Sequence, residues 1–66
     1  MKWRIDKTTG EHQLIVEGGF YAVISTAVGD WYAGFQSDES YCLDEDTIEY
    51  FDTWQAARKY CEKLAP

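Results

Sequence analysis

Histidine, cysteine and carboxylate are the side chains on which this chain can build chemistry, and their distribution limits what that chemistry is. His12 is the only histidine. A Ser-His-Asp or Cys-His nucleophilic site would have to be built on it, yet no G-x-S-x-G nucleophile elbow occurs anywhere in the sequence. His12 is therefore expected at the surface or at a strand edge. Carboxylates are abundant, but general acid–base work needs one of them held in an apolar cleft that raises its pKa, and so short a domain rarely encloses such a cleft. No catalytic residue is assigned, and the chain is not expected to be an enzyme.

Metal and anion sites are judged by the same spacing argument. Asp44-Glu45-Asp46, followed by Glu49 and Asp52, places five hard oxygen ligands within nine residues, a set that suits calcium. An EF-hand loop needs glycine at its sixth position, and counted from Asp44 the sixth residue is Glu49. Beyond loose cation binding no metal is expected, since Cys42, Cys61 and His12 are too scattered for zinc. No glycine-rich loop precedes the C-terminal helix to cradle phosphate, and Gly18-Gly19 reads as a turn. No cofactor is expected. The two cysteines are read as free thiols in a cytoplasmic protein, because the N-terminal MKWRIDKTTG lacks the apolar core of a signal peptide and two cysteines make no disulfide framework.

The strongest signal is charge. Between Thr8 and Ala57 there is no lysine or arginine, whereas those fifty positions hold ten carboxylates, seven of them from Asp38 to Asp52. All six cations lie toward the ends: Lys2, Arg4, Lys7, Arg58, Lys59 and Lys63. A one-signed field of this kind repels nucleic acid and anionic membrane and attracts basic protein surfaces. Direct nucleic-acid binding would need aromatics among cations, and here Tyr41, Tyr50 and Phe51 stand among carboxylates. The candidate partner-binding residues are therefore Asp38, Glu39, Tyr41, Asp44, Glu45, Asp46, Glu49 and Tyr50.

Sixty-six residues allow a single domain over 1–66, and a domain this short buries only about 60% of the surface its unfolded chain exposes. Eleven Phe, Trp and Tyr residues compensate, each contributing roughly 1.5–3 kcal/mol when removed from water, so the chain is expected to fold despite its charge. No apolar run approaches the ~20 residues of a membrane span.

Gly10, Gly18-Gly19 and Gly29-Asp30 divide the first half into four strands, near Lys2–Asp6, His12–Glu17, Phe20–Val28 and Trp31–Gln36. A two-residue Gly-Asp loop pairs Val28 with Trp31, Thr26 with Ala33 and Ile24 with Phe35, putting Ile24, Trp31 and Phe35 in the core and Tyr21, Val23, Ser25, Ala27, Tyr32 and Gly34 on the opposite face. The preceding turn has two alternatives. A three-residue loop with Gly19 in a bulge sets Val16 beside Phe20 and Leu14 beside Ala22; a two-residue Gly18-Gly19 loop turns Leu14 and Val16 outward and drives Glu17 to the core face. The second alternative leaves an apolar patch that argues for a homodimer.

Ser37–Thr47 is an acidic loop interrupted by Tyr41-Cys42-Leu43, and Ile48–Phe51 is a short last strand. A helix then starts at Asp52, with Thr53 as the alternative cap, and carries Trp54, Ala57, Cys61 and Leu64 on one stripe before Pro66 closes the chain. The fold class is α+β: a twisted antiparallel sheet of four to five strands with one C-terminal helix packed on one face.

The acidic aromatic segment SDESYCLDEDTIEYFD and the closing FDTWQAARKYCEKL resemble the small acidic proteins that phages and prophages direct against bacterial defence, namely anti-CRISPR proteins and DNA mimics. That resemblance implies a stoichiometric inhibitor in the host cytoplasm that covers the Lys/Arg-rich, nucleic-acid-gripping surface of a host protein or nucleoprotein complex. Carboxylates two residues apart on an extended segment lie roughly 6.5 Å apart, close to phosphate spacing along one strand, so Asp44, Asp46 and Glu49 would meet lysines or arginines, with Tyr41 and Tyr50 as aromatic anchors. The alternative is a homodimeric accessory or regulatory module using its exposed sheet face, with the acid only solubilising. The chain is thus expected as a monomer or homodimer, without membrane contact.

Overall fold

The computed structural model describes residues 2–65. Five strands, β1 (Trp3–Ile5), β2 (His12–Val16), β3 (Gly19–Ser25), β4 (Trp31–Ser37) and β5 (Glu49–Phe51), pair in sequence order into one antiparallel sheet. A 3-10 turn, Glu45–Thr47, interrupts the β4–β5 connection, and the helix α1 (Trp54–Leu64) packs on β3, β4 and β5. This is the expected α+β architecture. Pro66, expected to close the chain, lies outside the described residues.

Alternation along each strand sorts the side chains into two faces. The inner face, under the helix, carries Leu14, Tyr21, Val23 and Ala33, and the helix adds Ala57 and Cys61 to the same cluster. All except Tyr21 are completely shielded from solvent, while Trp3, Val16, Trp31, Phe35, Phe51, Trp54 and Tyr60 close the margins. The core is thus small side chains at the centre with aromatics around them, which lets a short chain seal a thin interior.

Register is where the observed sheet departs from the expected one. The β2–β3 turn is Glu17-Gly18, with Gly18 at φ 87°, and Val16 pairs with Gly19 and Leu14 with Tyr21. Neither expected turn occurs. Leu14 and Val16 keep their inward orientation, and Glu17 is exposed in the turn. Between β3 and β4 the loop spans Thr26–Asp30, closed by the Thr26 N–H to the Asp30 carbonyl (2.8 Å) and by the Val28 N–H to Thr26 Oγ1 (3.3 Å). Ser25 therefore pairs with Trp31 and Ile24 with Tyr32, so Tyr21 and Val23 take the inner face and Ile24 the outer. Thr26 accounts for the difference: its hydroxyl captures the Val28 amide, turning a β-branched residue that reads as strand into an exposed loop position.

Thr53, rather than Asp52, caps α1: its φ is −134°, and its Oγ1 accepts from the Ala56 N–H at 3.2 Å. The stripe Trp54, Ala57, Cys61 faces the sheet, but Leu64 is 45% exposed. Tyr60 takes a place in the packing instead, its ring 5.3 Å from Phe51.

His12 is only 8% exposed, a correction to its expected surface position. It shares the inward face of β2 with Leu14, and its ring lies 5.5 Å from Trp31 and 5.3 Å from Trp54. Nearby, the Arg58 guanidinium sits 4.4 Å above the Trp3 ring, and Trp3 Nε1 donates to Glu62 at 2.8 Å. His12 Nδ1 is buried with no hydrogen-bond partner. Burial first, and then the Arg58 charge, hold its pKa below the ordinary 6.5.

Two outcomes follow from this packing. A Cβ on Gly19 would lie 2.2 Å from the Gln36 carbonyl oxygen and 2.9 Å from Ser37 Cα, backbone that cannot swing aside. Gly19→Ala should therefore cost about 3 kcal/mol, read as a lowered melting temperature; an unchanged one would contradict the β3–β4 register. The unfolded chain takes up a proton at His12 more readily than the folded one, so this contribution to stability is intact above pH 6.5 and is lost as pH falls below it. The melting temperature should drop between pH ~6.5 and ~5, above the carboxylate range, and His12→Phe should flatten that drop; equal slopes in both proteins would rule His12 out as its source.

Candidate functional site

The acidic segment has a structured backbone, tied to the sheet and to the helix, while its carboxylates stay exposed. Asp44 N–H donates to the Phe35 carbonyl at 2.7 Å. In return, Phe35 N–H donates to Thr47 Oγ1 at 2.8 Å, and that hydroxyl donates to the Asp44 carbonyl at 2.7 Å. Tyr60, on α1, donates its hydroxyl to the Thr47 carbonyl at 2.8 Å. Burial first, then Glu49, raises the Tyr60 pKa. Asp44 caps the 3-10 turn, its Oδ1 accepting from the Asp46 N–H at 3.1 Å.

Apolar anchors reinforce these bonds. A Cβ on Gly34 would lie 3.1 Å from Ile48 Cγ1 and 3.2 Å from Leu43 Cδ1, so both residues rest directly on the glycine of β4. The first half of the loop is held by Asp38 N–H to the Gly18 carbonyl (2.9 Å) and by Gln36 Nε2 to the Ser40 carbonyl (3.0 Å). Leu43 thus has a structural task within the acidic run, while Tyr41 beside it is fully exposed.

Asp38, Glu39, Tyr41, Asp44, Glu45, Asp46, Glu49 and Tyr50 are all exposed. Asp44, Glu45 and Asp46 line an open concavity of about 450 Å³, with Ser40 and Cys42 also on its wall. The other candidates are not drawn into it. Asp38 and Glu39 follow the end of β4 beside the Gly18 turn. Glu49 and Tyr50 are neighbours in β5 and so project to opposite faces, Glu49 in register with Ala33 and Tyr50 with Tyr32. The extended spacing expected for Asp44 and Asp46 also fails, because a 3-10 turn fans successive side chains around its axis instead of lining alternate ones up.

The two edges of the sheet carry opposite charge, while Arg58, Lys59 and Lys63 lie on α1, which packs across β3, β4 and β5. Lys2, Arg4 and Lys7 belong to or flank β1, at one edge of the sheet, whereas Asp46, Glu49 and Asp52 belong to or flank β5, at the other. His12 is buried beside Trp54, and among the described residues no three His, Cys, Asp or Glu side chains converge on a metal-sized site. Cys42 and Cys61 are free thiols, Cys42 exposed and Cys61 buried, with burial pushing the Cys61 pKa up to about 11. Among the described residues no helix is long and apolar enough to cross a membrane.

The residues that shape the site, Gly34, Thr47 and Tyr60, escape a reading based on charge. Gly34 does leave a trace, since a glycine inside a strand pattern marks the close approach of another segment. No family model matches the chain, and no curated protein or solved structure does either.

Thr47→Val keeps the shape of the side chain while deleting a hydroxyl that both accepts from Phe35 and donates to Asp44. The expected loss is about 1–2 kcal/mol, together with faster hydrogen exchange at the Phe35 amide. Unchanged exchange there would show that the loop is held by other means.

Proposed function

We propose that this chain is an acidic protein-binding module whose β5-side edge and loop cover a Lys/Arg-rich surface, acting as a stoichiometric inhibitor of the anti-CRISPR or DNA-mimic kind on a nucleic-acid-binding complex. The supporting observation is the pinned loop: Thr47, Tyr60, Leu43 and Ile48 hold Asp44, Glu45 and Asp46 in one arrangement before any partner arrives. A backbone fixed in advance loses less entropy on binding, which favours a recognition surface over a solubilising charge run. Tyr41, three residues before Asp44, and Tyr50, in β5, offer exposed rings, the residue type that most often anchors interfaces. The opposed charges of the two sheet edges would turn the acidic edge toward a basic partner during approach.

Simultaneous Asp44→Lys, Asp46→Lys and Glu49→Lys substitution tests this reading. The variant should lose capture of basic proteins from a bacterial lysate, capture by the unaltered chain should weaken as salt rises, and stability should fall by about 1 kcal/mol as the Asp44 cap on the Asp46 N–H is lost. Undiminished, salt-insensitive capture by the folded variant would overturn the proposal.

A further inference from the structure

An open sheet ends on two edges, here β1 and β5. The backbone groups they leave unpaired follow from the alternation of an antiparallel ladder. Thr26 N–H bonds the Asp30 carbonyl and Asp38 N–H the Gly18 carbonyl, so Ile24, Ala22 and Phe20 bond β4 through their register partners Tyr32, Gly34 and Gln36. Trp31 and Ala33 are thereby turned to β5, where they meet Phe51 and Glu49. Tyr50, between those two, directs its own N–H and carbonyl away from the sheet. At the opposite edge Asp6 N–H bonds the Glu11 carbonyl, so Arg4, two residues earlier, bonds Gln13, and Trp3 and Ile5 direct their groups outward. The two edges also differ in sign. Lys2, Arg4 and Lys7 belong to or flank β1, and Asp46, Glu49 and Asp52 belong to or flank β5. Asp6, the carboxylate beside β1, is turned into its own loop, accepting from the Thr8 N–H at 2.8 Å and the Thr9 N–H at 3.3 Å.

We infer that this chain associates head to tail with further copies of itself, β1 of one copy adding in parallel to β5 of the next. In a parallel ladder one residue bonds the two residues that flank its neighbour. Tyr50 then donates to the Trp3 carbonyl of the second copy and accepts from its Ile5 N–H, with Arg4 of that copy beside the Tyr50 ring. Copies related by translation across the sheet meet in this way with their helices on one side. Trp3 and Ile5 of the second copy come beside Glu49 and Phe51 on the inner face, and Ile5, 57% exposed in the single chain, gains an aromatic neighbour. Charge selects this pairing over its alternatives. Charged edges keep sheets apart when like edges meet: β5 on β5 would gather Asp46, Glu49 and Asp52 of both copies, and β1 on β1 would bring Arg4 against Arg4. β1 on β5 joins opposite signs, and because the two surfaces differ, each added copy leaves a free edge for another. Strands of three residues make the contact small and the association weak. A basic partner and a second copy would compete for the same acidic edge.

Sedimentation equilibrium of the full chain at low salt tests this. Species larger than a dimer should appear as protein concentration rises and recede as salt is added. In the concentrated sample the Ile5 and Tyr50 amides, which face the two edges, should exchange hydrogen more slowly than in the dilute one. Arg4→Glu and Glu49→Lys should each lose the association, and the double variant Arg4→Glu, Glu49→Lys, which restores opposite signs, should regain it. A chain that stays monomeric at every concentration in low salt would overturn the inference. So would association that stops at a dimer and responds to only one of the two single variants, because that pattern belongs to the pairing of like edges. Association that leaves the Ile5 and Tyr50 amides unprotected would place the contact elsewhere and overturn it as well.

Discussion

Ala57 and Cys61 have no accessible surface, and their small size is what lets the helix backbone settle close to the sheet. The inner face answers with Ala33, also completely shielded, so the centre of the interface is a meeting of short side chains. Close approach at the centre sets the spacing at the margin. It gives the rings of Trp31, Phe35, Phe51, Trp54 and Tyr60 room to pack around the rim and exclude water from a core that a chain of 66 residues would otherwise leave open. His12 is caught in that seal between two tryptophans, which makes its burial a product of the helix's position and not of any chemistry assigned to it.

The same contact reaches the acidic loop through one hydroxyl. Tyr60 packs on Phe51 with its ring and holds Thr47 with its oxygen, so an aromatic at the core margin also positions the loop. Loop and core are therefore not independent parts. Like charges on a flexible segment would spread apart to relieve their repulsion; here the backbone bonds to β4 and the Leu43 and Ile48 contacts with Gly34 oppose that spreading. The backbone of the loop is thus held in place although its successive residues carry like charge.

The order of elements was legible in the sequence because it depends on local signals: glycines between β-branched runs, and a threonine before an amphipathic stripe. The pairing was not, because it depends on loop geometry. Replacing an expected two-residue connection after β3 by five residues moves the pairing by three positions, and an odd shift exchanges the faces of the strand, which is why Tyr21 and Val23 stand where Ile24 was expected. For His12 the signal was present and underweighted, since a residue two before an inward Leu14 must itself face inward. The exposure of the acidic candidates could be read from charge. Their distribution over two faces could not, because it follows from the 3-10 turn and from the alternation of Glu49 and Tyr50 in β5.

The bond from Trp3 to Glu62 joins residues 59 positions apart, whereas every strand pairs with its neighbour in sequence. The two kinds of contact belong to different moments in the life of the chain. Adjacent strands can zip together by local search as the polypeptide leaves the ribosome, but α1, whose Ala57 and Cys61 close over Leu14, Tyr21 and Val23, is made only after all five strands. Through that interval a newly synthesised meander carries one apolar face in water, and its carboxylates, present from Asp6 onward, repel those of neighbouring nascent chains.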